Sequence, residues 1–314
     1  MKETLLSGLK PAEQIILTVL VFLLAGVLIS LVAIGISALV FHLPLKEVSL
    51  ILAYPDESGV GVLKLVQILS GIGNYILAAL LISRFLTGGW FTWFRSERKP
   101  GIYGLLLVLL IMIASLPLVN FVTEFNLSVR LPFDRLQQLL VDMEEKAAGI
   151  TWLLTGAENG WGLAVNILMI AIIPGLGEEL IFRGLLQTMF TRWFRNGHLA
   201  VFITAVIFSA LHLQFLSFLS RLVLGLILGY LFYYGRSIWY PVLAHTFNNF
   251  MGVLFYYSGH KEGIHPKWDE LGTRDLFPWS ALISLISLLI IFYFWYRTCT
   301  AINQGPQDGP YRKA

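Results

Sequence analysis

Eight long apolar segments dominate this chain, near residues 15–41, 65–86, 102–122, 161–190, 199–214, 216–234, 238–257 and 277–296. A bilayer core takes about 20 apolar residues to cross as a helix. Lipid offers no hydrogen-bond partner to the backbone, so each segment must pair its own N–H and C=O groups, and helices follow. The first run, Ile15 to Phe41, is far longer than the roughly 7–15-residue apolar stretch of a removable signal, and reads as an uncleaved span. The fifth and sixth segments are short and meet around Gln214. Composition agrees: 57% of the 314 residues are hydrophobic and 13% charged, against roughly half and a quarter in soluble domains. The expected fold is all-α, a polytopic transmembrane helix bundle of about eight spans. Gly and Pro within spans, such as Pro174, Gly175, Gly177 and Gly184, then mark kinks or close packing rather than breaks.

Loop charges give an orientation, because cytoplasmic loops carry the excess of Lys and Arg. Arg84, Arg95, Arg98 and Lys99 face a single acid, Glu97, between the second and third segments. The connection from Glu124 to Gly160 is acidic, with Glu124, Asp134, Asp142, Glu144, Glu145 and Glu158 against Arg130, Arg135 and Lys146. The first loop is expected in the cytoplasm and the second outside, with both termini cytoplasmic in a multi-pass protein of the cell membrane. Within the outer connection, Leu136, Leu139, Leu140 and Met143 repeat at helical spacing between Pro132 and Gly149, which predicts an amphipathic helix on the outer surface. Residues from Gln304 to Pro310 read as a disordered tail. A net charge of +3 suggests no nucleic-acid partner, and Cys299, the one cysteine, allows no intramolecular disulfide.

Against that apolar background the fourth segment holds Glu178, Glu179 and Arg183. Each isolated charge in a span costs about 2.5–3.5 kcal/mol, so partners are expected. Glu179 and Arg183 are one helical turn apart and suited to an ion pair. Glu178 points about 100° away and is left without that partner. The fifth segment brings Phe208 and His212; the seventh brings His245 and Asn249, again one turn apart on one face. Counted from the cytoplasmic helix ends, Glu178, His212 and Asn249 lie roughly 17–20 Å deep and His245 roughly 10 Å. Three helices thus deliver acid, imidazole and amide to a common layer, read as a cytoplasm-facing site. A histidine packed against a backbone carbonyl is the bland alternative for either imidazole alone.

No serine or cysteine stands in an evident nucleophile motif, although Ser209 is one turn from His212. The simplest hydrolytic scheme is a carboxylate that takes a proton from water, an imidazole that orients the water, and an amide with a second imidazole at the oxyanion. The same set, Glu178, His212 and His245, is alternatively a zinc triad, though the H-E-x-x-H spacing of zincins does not occur.

E-E-x-x-x-R at Glu178, Glu179 and Arg183, F-x-x-x-H at Phe208 to His212, and H-x-x-x-N at His245 to Asn249 together resemble the CAAX prenyl protease and bacteriocin-processing (CPBP, Abi) family of intramembrane proteases, the type II CAAX endopeptidases. The resemblance implies a catalytic helical core over 161–257, flanked by 1–160 and 258–314. It implies that Glu178 and His212 activate water, that His245 and Asn249 form the oxyanion site, and that Glu179 and Arg183, with Phe208, support them. A metal-independent glutamate mechanism, with no cofactor, suits this residue set better than zinc. The partners expected are membrane lipid and a peptide or membrane-protein substrate. Two other readings stand beside this one: a proton- or ion-coupled transporter, since buried Glu and His also serve as relays, and a non-catalytic binding or immunity protein.

Overall fold

In a computed structural model the described residues, 8–94, 99–157, 159–262 and 279–303, form helices and no strand. Arg95, Glu97, Arg98, Glu158 and the tail from Gln304 lie outside them. The helices are α1 (Pro11–Phe41), α2 (Leu45–Ala53), α3 (Glu57–Thr87), α4 (Ile102–Ser128), α5 (Asp134–Thr155), α6 (Gly160–Phe194), α7 (Gly197–Ala210), α8 (Phe218–Gly235), α9 (Trp239–Glu262) and α10 (Trp279–Asn303). Each of the eight apolar segments falls on a helix. Six stretches, α1, α3, α4, α6, α10 and Phe215–Gly235, which contains α8, are long and apolar enough to cross a membrane. The protein is a multi-pass, all-α membrane bundle.

The two segments outside those six depart for different reasons. Helix α7 has 14 residues, about 21 Å at 1.5 Å per residue, so it falls short of the roughly 30 Å hydrocarbon core. It stops at Ala210 rather than continuing to 214 as expected. Leu213 then adopts a left-handed φ of 57°, a conformation that costs a side-chain-bearing residue about 1–2 kcal/mol, and a short turn at Phe215–Ser217 leads into α8. Helix α9 has 24 residues, but His245, Thr246, Asn248, Asn249 and His260 dilute its apolar character. It packs on α4, α6 and α8, so it need not present an apolar face to lipid all round.

Helix α6 is the axis of the bundle: 56% of its apolar window is buried, against 6% for α1, which turns its leucines outward. Small residues let neighbours approach it, as expected for membrane helix packing. A Cβ on Gly175 would collide with the Thr246 hydroxyl of α9 and lie 2.9 Å from the Thr246 backbone nitrogen. Pro174 does not break α6, but it has no N–H to give the carbonyl of Ile170 four residues earlier. Asn249 of α9 supplies that hydrogen bond from Nδ2, at 3.1 Å, and the chain around the proline widens into π-type turns at Ile167–Ile172 and Leu180–Gln187.

The amphipathic helix α5 passes through Gly149 and ends at Thr155, longer than the leucine pattern suggested. It is docked rather than separate. Trp152 stacks on His260 of α9 at 3.6 Å between centroids, and Glu144 reaches the turn between α7 and α8, where its Oε1 accepts hydrogen bonds from Ser217 Oγ at 2.7 Å and Gln214 Nε2 at 3.2 Å.

Candidate active site

The polar centre is built around Glu179, which is fully buried, as is Arg183. Arg183 Nη1 donates to Glu179 Oε1 at 2.6 Å across one turn of α6. His245 Nδ1 from α9 donates to the same oxygen at 2.7 Å. Arg183 also donates from Nη2 to the carbonyl of Gly225 in α8 at 3.3 Å, and Gln187, one turn on, donates to that of Gly229 at 3.0 Å. Glu179 and Arg183 therefore join α6 to α8 and α9. The contact of Glu179 with His245 was not foreseen from sequence, because spacing along one helix says nothing about which partner a second helix brings.

Glu178 faces away from that pair, as its position on the helix predicts. Its Oε2 is buried, has no hydrogen-bond partner among the described residues, and stands 3.9 Å from His245 Nε2. That separation is too long for a direct hydrogen bond. The two ring nitrogens of His245 thus face two carboxylates, Glu179 at hydrogen-bond distance and Glu178 just beyond it.

His212 lies in the turn after α7 rather than on the helix. Its Nδ1 is 2.7 Å from the carbonyl oxygen of Phe208. A carbonyl can only accept, so Nδ1 carries the proton and the neutral ring presents a lone pair at Nε2. Phe208 is the hub between the two imidazoles: its ring packs edge-on against His212 at 4.9 Å and His245 at 5.8 Å, with the Arg183 guanidinium 4.7 Å from its centre. Ser209 is turned away, donating to the Phe218 carbonyl at 2.6 Å, and has no contact that would make it a nucleophile for His212.

A cavity of about 120 Å³ opens beside this cluster, lined by Phe208, His212, Arg221, His245, Asn248 and Asn249 with Met112, Leu224 and Leu228. His212, His245 and Asn249 thus share one space. Glu178 is not in its wall and sits beside His245. Two lining residues, Arg221 and Asn248, lay outside the sequence-based set. Arg221 had a legible signal, a charge inside the apolar sixth segment, and Asn248 adjoins the residue that spacing selected. Among the described residues no three His, Cys, Asp or Glu side chains gather as a metal site.

Fold and centre define a class, a multi-pass helical membrane protein whose central helix carries a buried carboxylate and guanidinium, joined by an imidazole from α9, beside a small polar cavity. Residues 160–251, which hold every member of that cluster, match the family model described as type II CAAX prenyl endopeptidase Rce1-like, and this core is similar to that peptidase family. No curated protein and no solved structure matches the chain.

Proposed function

We propose that the protein is an intramembrane endopeptidase in which Glu178 and His212 activate water for attack on a peptide carbonyl. The observation that carries this reading is Glu178 Oε2, a buried carboxylate oxygen with no hydrogen-bond partner among the described residues, held 3.9 Å from an imidazole nitrogen. Buried polar atoms are rarely left unsatisfied without a reason, and a general base must keep its accepting oxygen unspent.

The roles follow from what each group has left to give. His212, with Nδ1 donating to Phe208, accepts a water hydrogen at Nε2 and orients the water. Glu178 takes the second proton as the water oxygen bonds to the carbonyl carbon. Asn249 spends one Nδ2 hydrogen on Ile170, which fixes the amide and aims the other at the oxyanion. His245, with Nδ1 on Glu179, adds a second donor at Nε2 when the ring carries both protons. Donors set in place before charge develops are the largest source of acceleration in such reactions. When the tetrahedral intermediate collapses, the C–N bond breaks and the proton held by Glu178 passes to the departing amine. Glu179 and Arg183 position the reacting groups without lining the cavity, and Phe208 packs between the two imidazoles in its wall. No resident metal is used.

The loop charges support a reading with both termini in the cytoplasm of a cell-membrane protein and α5 on the opposite side. The family match favours peptide hydrolysis over the transporter reading, and over a silent binding or immunity protein. The test is cleavage of membrane peptides by purified parent, Glu178→Gln and His245→Ala proteins, each first shown to be folded and monodisperse. Cleavage by the parent and loss of at least about 10²-fold in both variants is expected. Equal cleavage by parent and Glu178→Gln protein would overturn the mechanism.

A further inference from the structure

Arg221 is the charged residue of the cavity that the catalytic scheme does not use. It lies in the first turn of α8, half-buried, and lines the same space as His212, His245 and Asn249. Its Nη1 donates to the Gln214 carbonyl at 3.2 Å and Ser217 Oγ at 2.8 Å, and its Nη2 donates to Gln214 Oε1. All three acceptors are neutral. A guanidinium has five N–H donors, so the Nε hydrogen and one Nη2 hydrogen have no hydrogen bond among the described residues. No carboxylate of those residues lies within ion-pair distance of Arg221. Glu144 of α5 holds Ser217 and Gln214 in place, fixing the guanidinium's orientation from one shell further out.

A cation inside a membrane bundle pairs with a carboxylate, as Arg183 does with Glu179, or with backbone carbonyls. Arg221 is bonded directly to neutral acceptors, with Glu144 acting on its charge only through Ser217 and Gln214, and it lines the cavity with two N–H donors to spare. We infer that Arg221 is a specificity residue that receives a carboxylate of the peptide substrate, either its C-terminal carboxylate or an acidic side chain, in the cavity next to the scissile bond. The inference rests on the endopeptidase reading for the identity of the ligand. A planar carboxylate fits a guanidinium fork, and a fixed fork gives both strength and register. The cavity, at about 120 Å³, has room for such a group and a few neighbouring atoms rather than a folded domain.

Binding to the full-length protein carrying Glu178→Gln, reconstituted in nanodiscs, tests this without cleavage of the probe. The probes are three fluorescent apolar decapeptides of one sequence: a free acid, a carboxamide, and a carboxamide with glutamate at the penultimate position. Arg221 protein should bind at least one anionic peptide about tenfold or more tighter than the neutral carboxamide, and which one identifies the source of the carboxylate. In Arg221→Gln that ratio should fall to within about twofold, and Arg221→Lys should restore part of it. Equal binding of all three peptides to the Arg221 protein overturns the inference, and that comparison stands even if Arg221→Gln does not fold. A preference that survives in Arg221→Gln overturns it too. Absence of cleavage by the parent would instead count against the endopeptidase reading, whatever the binding ratio.

Discussion

Replacing Arg183 by methionine should be among the most damaging single changes in this chain, and the structure says how it should be repaired. Arg183 and Glu179 are both fully buried and 2.6 Å apart. Removing one partner of a buried ion pair costs about 3–5 kcal/mol, because the remaining charge is left uncompensated. In Arg183→Met protein Glu179 retains only the hydrogen bond from His245. Replacing both residues, as Glu179→Gln with Arg183→Met, removes the stranded charge while Gln still accepts from His245 Nδ1. The double variant should therefore be more stable than Arg183→Met alone, with a coupling of about 2 kcal/mol or more in a double-mutant cycle. If the pair acted only as an ordinary interhelical hydrogen bond, a coupling of about 0.6 kcal/mol is the membrane average. Reversible unfolding of detergent-solubilised protein, followed by helical circular dichroism against a denaturing surfactant, separates the two values. A double variant no more stable than Arg183→Met would refute the buried-charge argument.

Other consequences are open to simpler assays. Gly175→Val should destabilise the fold by about 1–3 kcal/mol, read in the same unfolding assay, because its side chain must displace Thr246 and separate α9 from α6. Asn249→Ala should lower kcat by about 10²–10³-fold through loss of an oxyanion donor, and Asn249→Asp should not rescue it, since a carboxylate offers the oxyanion no hydrogen. Treating active protein with a chelator should leave peptide cleavage within about twofold, because Glu178, His212 and His245 do not gather as a ligand set; stoichiometric zinc found essential for turnover would refute this.

The fold was largely legible because its signal is one-dimensional. Long apolar runs specify membrane helices whatever they pack against, so all eight segments found helices. Boundaries failed where the determinant was local stereochemistry: nothing in the apolar run to residue 214 announces that Leu213 turns left-handed and ends α7 early. At the site, groups on one helix were legible and groups between helices were not. The Glu179 to Arg183 pair and the isolation of Glu178 follow from 3.6-residue periodicity. The approach of His245 to Glu179, and the exclusion of Glu178 from the cavity wall, depend on how α9 rotates against α6. Gly175 and the carbonyl freed by Pro174 set that rotation, and both are readable only once the two helices are seen together.

The misfit of α7 and α9 to the criterion of a spanning helix and the presence of a cavity share one cause. A 14-residue α7 cannot reach as far through the bilayer as a 24-residue α9, a difference of about 15 Å in helix length. Glu144 from α5 supplies acceptors to Ser217 and Gln214, which in turn hold Arg221. The end of the short hairpin leaves a polar space lined by α4, α7, the turn after it, α8 and α9. Lengthening α7 to a full span would make a more ordinary bundle, and would carry His212 and Arg221 away from His245 and Asn249, with which they line one cavity.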